Sequence, residues 1–259
     1  MDGTLLDENG VLPDHFWPIL ARMQERGITF VAASGRQYPA LTRLFGGRTE
    51  GISFIAENGT YVVQDDVEVS ASPLSPAFAR RFLASVRGQA AAGQDVGAVW
   101  CGRSSAYVER TDAAFLAEVT RYYARLQPVE RFEDVGEDAL KFAVWVAGDP
   151  ESAELADLRR SCAPCQPVVS SDHWIDVMPP DVSKGTALRD LQRELGVTAE
   201  ETMVFGDYLN DLEMLDEAAH SFAMANAHPE VRRRARYVAP ANSEYGVLQV
   251  VSRLIGEAA

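Results

Sequence analysis

Hydrophobic positions along this chain fall into two kinds of segment. Four short apolar runs lie at Ile28–Ala33, Ser53–Ala56, Met203–Phe205 and Ser221–Met224. Each gives way at once to polar or glycine-containing residues: Ser34-Gly35-Arg36, Glu57-Asn58-Gly59, Gly206-Asp207 and Ala225-Asn226. Runs without polar alternation suit strands covered on both faces, as in parallel sheets. Between them the apolar spacing turns helical. Asp14–Arg26 places Phe16, Leu20 and Met23 on one face and stops at Gly27, and Ser183–Leu195 opens on a candidate N-cap and closes at Gly196. Tyr245–Ile255 predicts a last amphipathic helix. Strand–helix alternation at both ends of the chain implies an α/β core with a doubly wound parallel sheet.

The middle of the chain has another rhythm. The pattern predicts helices at Pro76–Ala92, Asp112–Leu126 and Glu151–Ser161. Strands are predicted at Val96–Cys101, Ala106–Glu109, Leu140–Ala147, Gln166–Ser170 and Trp174–Met178. Paired strands separated by helices imply an α+β unit with a largely antiparallel sheet, inserted into the core. The expected division is therefore residues 1–72 and 179–259 for the core, and 73–178 for the insert.

Composition narrows the partners. The chain has 259 residues, with 24 Lys and Arg against 38 Asp and Glu, a net charge of −14. A surface this acidic argues against nucleic acid or an anionic membrane as partner. A phosphorylated ligand would need a metal ion or a few placed cations to hold it. Nothing after Met1 resembles a signal peptide, no apolar stretch reaches the roughly 18 residues of a membrane span, and three cysteines make no disulfide framework. A cytoplasmic protein is expected.

The polar clusters carry the candidate chemistry. Asp2-Gly3-Thr4 opens the chain, Ser34-Gly35-Arg36 follows one strand, Lys184-Gly185 opens a helix, and Gly206–Asp211 follows another strand. In open α/β sheets, ligands bind beyond the carboxyl ends of the strands, where these clusters can converge. If a helix starts after Asp207, then Asn210 and Asp211 return to its side. Two carboxylates and an amide suit Mg²⁺; equally, acidic residues at a helix start complement its dipole. Lys184 in a helix's first turn is mildly misplaced against that dipole, which favours a role beside an anion over a solvated lysine. Ser34 and Gly35 offer a hydroxyl and approachable N–H groups for phosphate, or simply turn the chain.

In order and spacing these four clusters resemble the motifs of haloacid dehalogenase-type phosphatases. The segment Asp176-Val177-Met178-Pro179 leading into Val182–Leu188, together with Asn58-Gly59 and Met224–Ala227, is similar to the Cof-type branch (subfamily IIB) with its sugar-phosphate phosphatases. The resemblance implies a Mg²⁺-dependent phosphoric monoester hydrolase acting on a small phosphorylated metabolite, a sugar phosphate, through an aspartyl-phosphate. Asp2 would be the general acid/base and give its carbonyl to the metal, with Asp207 and Asp211 as carboxylate ligands. Lys184 would be the catalytic cation, and Ser34, Gly35, Arg36, Lys184 and Asn210 would bind phosphate. The nucleophile of this pattern would stand directly before Met1, so the chain is expected to extend upstream by at least one Asp. A non-catalytic metal- and phosphate-binding pseudo-phosphatase is the alternative, and a phosphomutase or phosphotransferase is close to the enzyme reading. The insert would be a cap, with specificity in loops such as Ser104-Ser105 and Ser171-Asp172-His173.

Two further features draw attention. Cys162-Ala163-Pro164-Cys165 has the spacing of a redox pair, but it follows a predicted helix and precedes a strand, the reverse of a thioredoxin-type site. Arg232-Arg233-Arg234 with Arg236 reads as a solvated helix face rather than a nucleic-acid patch.

Overall fold

A computed structural model describes residues 1–171 and 173–256; Asp172 of the candidate specificity loop lies outside the described residues. In chain order the first elements are α1 (Phe16–Glu25), β1 (Phe30–Ala33), α2 (Tyr38–Leu44), β2 (Ile52–Ala56), β3 (Tyr61–Gln64) and β4 (Val67–Ala71). Next come α3 (Pro76–Ala91), β5 (Val96–Cys101), β6 (Ala106–Val108), α4 (Ala113–Val119), β7 (Leu126–Pro128), β8 (Lys141–Val146), α5 (Ala156–Ser161), β9 (Gln166–Ser171) and β10 (Trp174–Met178). The chain closes with α6 (Lys184–Leu195), β11 (Met203–Gly206), α7 (Leu212–Asp216), β12 (His220–Met224), α8 (Pro229–Arg234), β13 (Tyr237–Ala239) and α9 (Gly246–Leu254). Two compact units result: Met1–Gly35, Leu41–Ser70 and the residues from Ser183 on form one, and Arg36–Ala40 with Ala71–Val182 form the other.

The first unit is α/β. β1 pairs parallel to β2, and β11, β12 and β13 pair parallel to one another. β2 turns back through β3, a hairpin the apolar pattern did not announce, because Tyr61–Gln64 is too short to establish a period. The helices form where the sequence spacing placed them. In α1 the buried residues are Phe16, Ile19, Leu20 and Met23, one stripe at helical period. In α6 the Ser183 hydroxyl accepts from the Thr186 N–H and the Thr186 hydroxyl accepts from the Ser183 N–H, a reciprocal cap. Ser183→Ala should therefore cost about 1 kcal/mol in denaturant unfolding, with the slope against denaturant unchanged.

The α/β core with parallel strands expected from the sequence is present; among the described residues its strands form the sheets β1–β2–β3–β4 and β11–β12–β13. Between β1 and β11 lies a cavity of about 440 Å³. No described strand pairs with the free edge of either.

The inserted unit has a six-stranded sheet in the order β7–β6–β5–β8–β10–β9, antiparallel except for the β6–β7 pair. One face packs on α3 and α5 through Phe78, Phe82, Phe142, Leu158 and Ile175. The other packs on α4 through Phe115, Val119 and Trp145. The helix expected over Asp112–Leu126 starts as predicted, with Asp112 as N-cap, but ends at Val119. Leu126–Pro128 instead pairs with β6, because a ladder beside Ala106–Val108 competes with helical propensity and wins.

Candidate active site

The first unit brings most of the predicted residues to the ends of β1 and β11. Asp207 stands just past β11. A tight turn, Leu209–Asp211, carries the chain into α7 and sends the Asp211 side chain back to the start of the loop. Its Oδ2 accepts from the N–H groups of Asp207 (3.0 Å) and Tyr208 (3.3 Å). Its Oδ1 accepts from Lys184 Nζ at 2.7 Å. The two side chains are only 5% and 7% exposed, so the pair is buried. Burial alone would raise the Asp211 carboxyl, but the Lys184 charge, the Met1 amine and these hydrogen bonds outweigh it and hold the carboxyl below its ordinary range. Asp211 thus secures the turn leading into α7 and anchors the Lys184 ammonium.

Asp207 is held differently. Burial pushes its carboxyl above the ordinary range; the Thr4 hydroxyl donates to it and opposes that shift, while the Asp211 charge adds to it. Gly3 passes directly over this carboxylate at φ +65°, and a Cβ there would collide with it. The glycine is therefore required twice, by backbone conformation and by approach. Asn226 Nδ2 donates to the Gly3 carbonyl (2.8 Å), and Asn242 Nδ2 donates to the Leu6 carbonyl (3.0 Å). The Asn242 N–H in turn donates to Asn226 Oδ1 (3.1 Å). Together they fix the Asp2-Gly3-Thr4 turn against Asp207.

Ser34 and Gly35 directly follow β1, and the Asn58 N–H donates to the Ser34 carbonyl (3.0 Å). Asn58, at φ 57°, lies so close to Gly35 that a Cβ there would press on its amide. Asn210 Nδ2 donates to Asn58 Oδ1 (3.0 Å) and so joins the β11 loop to the β1 loop. The structure therefore brings together Lys184, Asp207 and Asp211 by direct contact, and Ser34, Gly35 and Asn210 through Asn58. The Asp2 side chain is exposed, and Arg36 groups with the other unit. Roles for Thr4, Asn58, Asn226 and Asn242 were not legible beforehand. The available signal was a polar residue directly after an apolar run, which marks Asn58 and Asn226 but does not name their partners.

A divalent cation fits part of this set. Asp207 is a desolvated carboxylate beside a second one, a state that a cation relieves. Asp211 fits less well, since both its oxygens already accept from Lys184 and the loop amides. Among the described residues no group of three or more His, Cys, Asp or Glu side chains could enclose an ion. Mg²⁺ asks for less: it is commonly held by one or two carboxylates with water and substrate phosphate completing its shell.

Comparison with known proteins gives the family. The profile of the haloacid dehalogenase-like hydrolases matches residues 1–251, and the chain belongs to that family. It is similar to a 5-amino-6-(5-phospho-D-ribitylamino)uracil phosphatase of Escherichia coli, 33% identical over 258 residues that cover 98% of this chain and 94% of the relative. An HMP-PP phosphatase of Citrobacter koseri is 28% identical, with 89% of this chain and 84% of the relative covered. Among solved structures, a Streptococcus mutans protein superposes with a TM-score of 0.84 at 27% identity, covering 99% of this chain and 97% of that one. A subclass IIB sugar phosphatase superposes at 0.78 over 98% of this chain and 96% of its own, and at 21% identity it bears on the fold alone. These names agree with the phosphoric monoester hydrolase expected from the sequence.

The distractors resolve cleanly. Cys162 and Cys165 are free and buried. Burial, reinforced by Cys165, pushes the Cys162 thiol up to about 12, and burial raises Cys165 as well. Such thiols resist forming the thiolate that redox exchange needs. Cys165→Ser should leave phosphate-ester turnover unchanged; a large loss would reinstate the pair. Arg232, Arg233 and Arg234 are exposed, and Arg234 is paired with Asp216. No helix among the described residues is long and apolar enough to cross a membrane.

Proposed function

We propose that this protein hydrolyses a small phosphate monoester, a sugar or polyol phosphate, through an aspartyl-phosphate and with Mg²⁺ at Asp207. The buried Lys184–Asp211 pair beside Asp207 carries the reading. A lysine desolvated against a carboxylate is costly to maintain for stability alone. It earns its place where a phosphoryl group adds further negative charge. In this reading Ser34, Gly35 and Asn210 cradle the phosphate oxygens, with Asn58 holding the two loops in register, and Arg36 adds a further phosphate contact. Asp2 donates its proton to the departing ester oxygen as the carboxylate of an Asp preceding Met1 attacks phosphorus. Asp2 then takes a proton from the water that cleaves the acyl phosphate, releasing phosphate and restoring the carboxylate. Bound Mg²⁺ would neutralise phosphate charge as a Lewis acid, held by Asp207, the Asp2 carbonyl and, more weakly, Asp211.

The inserted unit acts as the cap in this reading and residues 1–72 and 179–259 as the catalytic core. Substrate choice then rests on loops of the insert. Around Ser104 one such loop is tightly built, with the Ser104 hydroxyl (2.7 Å) and the Tyr107 hydroxyl (2.6 Å) both donating to Glu137. The relatives supply two members of the substrate panel, 5-amino-6-(5-phospho-D-ribitylamino)uracil and HMP-PP, and hexose and pentose phosphates complete it. The test measures phosphate release from each with Mg²⁺, using the chain that carries an Asp before Met1. Turnover of at least one phosphorylated polyol or sugar supports the reading. Binding of these compounds without release from any of them would favour the pseudo-phosphatase instead.

A further inference from the structure

Burial distinguishes the closed side of the Asp207 loop from its open side. Lys184 and Asp211 close the inner side, their side chains being 5% and 7% exposed. Asp2, Tyr208, Asn210 and Asn226 are exposed. A phosphoryl group held at Asp207 therefore turns its ester oxygen, and whatever that oxygen carries, towards the exposed residues. Asn210 and Asn226 are engaged in bonds to Asn58 and to the Gly3 carbonyl, and Asp2 has the acid/base role in the proposed mechanism. Tyr208 has no part in any of this, yet its large ring is 59% exposed. A lone exposed aromatic is ordinary on a protein surface. One that is held rigidly beside a site is another matter.

Tyr208 is fixed from two directions. Its N–H donates to Asp211 Oδ2 at 3.3 Å, and its ring stands edge-to-face with that of His228, the centroids 6.0 Å apart and the planes at 77°. His228 is fixed in turn. Its N–H donates to the Asp207 carbonyl at 2.8 Å, and its Nδ1 accepts from the Glu230 N–H at 3.2 Å, capping α8. A ring nitrogen that accepts carries no proton, so the imidazole proton sits on Nε2. An edge-to-face pair uses at most one face of the tyrosine ring and leaves the other open. Such a face offers much contact area at little further cost in side-chain freedom.

On the phosphatase reading of the Asp207 loop, on which this step rests, we infer that Tyr208, backed by His228, is the platform for the substrate's departing group, and that this group carries a planar aromatic or heteroaromatic ring. Offset stacking needs two planes, so an open-chain departing group gains much less from the tyrosine face. Tyr208 is adjacent to Asp207 in the chain, which places the ring close to phosphorus, joined to the ester oxygen directly or through a short arm. Tyr208 is then a specificity-determining residue and takes no part in proton or phosphoryl transfer.

The test is calorimetric titration of the 259-residue chain with phenyl phosphate and with methyl phosphate, Mg²⁺ in excess. It reads binding alone and needs no turnover. The parent should bind phenyl phosphate about 5- to 10-fold more tightly than methyl phosphate. Tyr208→Ala should erase that preference by weakening phenyl phosphate alone, and Tyr208→Phe, which keeps the face without the hydroxyl, should retain it. A parent with no preference, a Tyr208→Ala variant that keeps it, or equal weakening of both ligands would overturn the platform and leave phosphate binding at the loop standing. A parent that binds neither compound would remove the phosphate reading of the loop, and the platform with it.

Discussion

Lys184→Ala should lower kcat by about 100- to 1,000-fold with little change in KM. In the proposed mechanism the ammonium stands beside the transferring phosphoryl group, so its contribution should be largest in the transition state. The same substitution should destabilise the protein by about 3–5 kcal/mol, because it leaves the buried Asp211 carboxylate without its cation. The two effects have separate remedies. Adding Asp211→Asn to Lys184→Ala removes the stranded charge, so the double variant should regain part of the lost stability and none of the activity. Steady-state kinetics and denaturant melts on the three variants provide the check. A rise in KM alone would reduce Lys184 to a substrate anchor.

Asp207→Asn should abolish Mg²⁺-dependent turnover while leaving stability equal to, or above, that of the parent. The carboxylate is desolvated and lies near Asp211, and both raise its affinity for a proton. A neutral amide removes that repulsion and can still accept from Thr4. It cannot offer the anionic oxygen that a hard cation prefers. Loss of activity alongside an unshifted or higher melting temperature would be the signature of a functional carboxylate rather than a structural one. Near-parental activity at limiting Mg²⁺ would remove Asp207 from the metal site.

The α/β core and the placement of the candidate-site residues were legible in the sequence, but the bonds between distant loops were not. Lys184, Asp207 and Asp211 could be read in advance because each follows an apolar run or a cap signal, and those local signals held: Ser183 caps α6, and the loop after β11 turns Asp211 back within four residues. Asn58 and Asn226 were visible as polar residues after apolar runs and as family marks, without their partners. Their work is to bond across loops far apart in the chain, to Asn210 and to the Gly3 carbonyl, and no spacing rule reports that. The long helix expected after Asp112 failed for a related reason. Leu126–Pro128 finds its partner in β6, and tertiary pairing of that kind leaves no trace in periodicity.

The most direct test of the account is phosphate release from p-nitrophenyl phosphate by the chain carrying an Asp before Met1, measured with Mg²⁺, after chelation by EDTA, and after Mg²⁺ is restored. The account predicts turnover that disappears with EDTA, returns with Mg²⁺, and is absent when that Asp is replaced by Asn. Turnover that persists through chelation or survives the Asn replacement would contradict it.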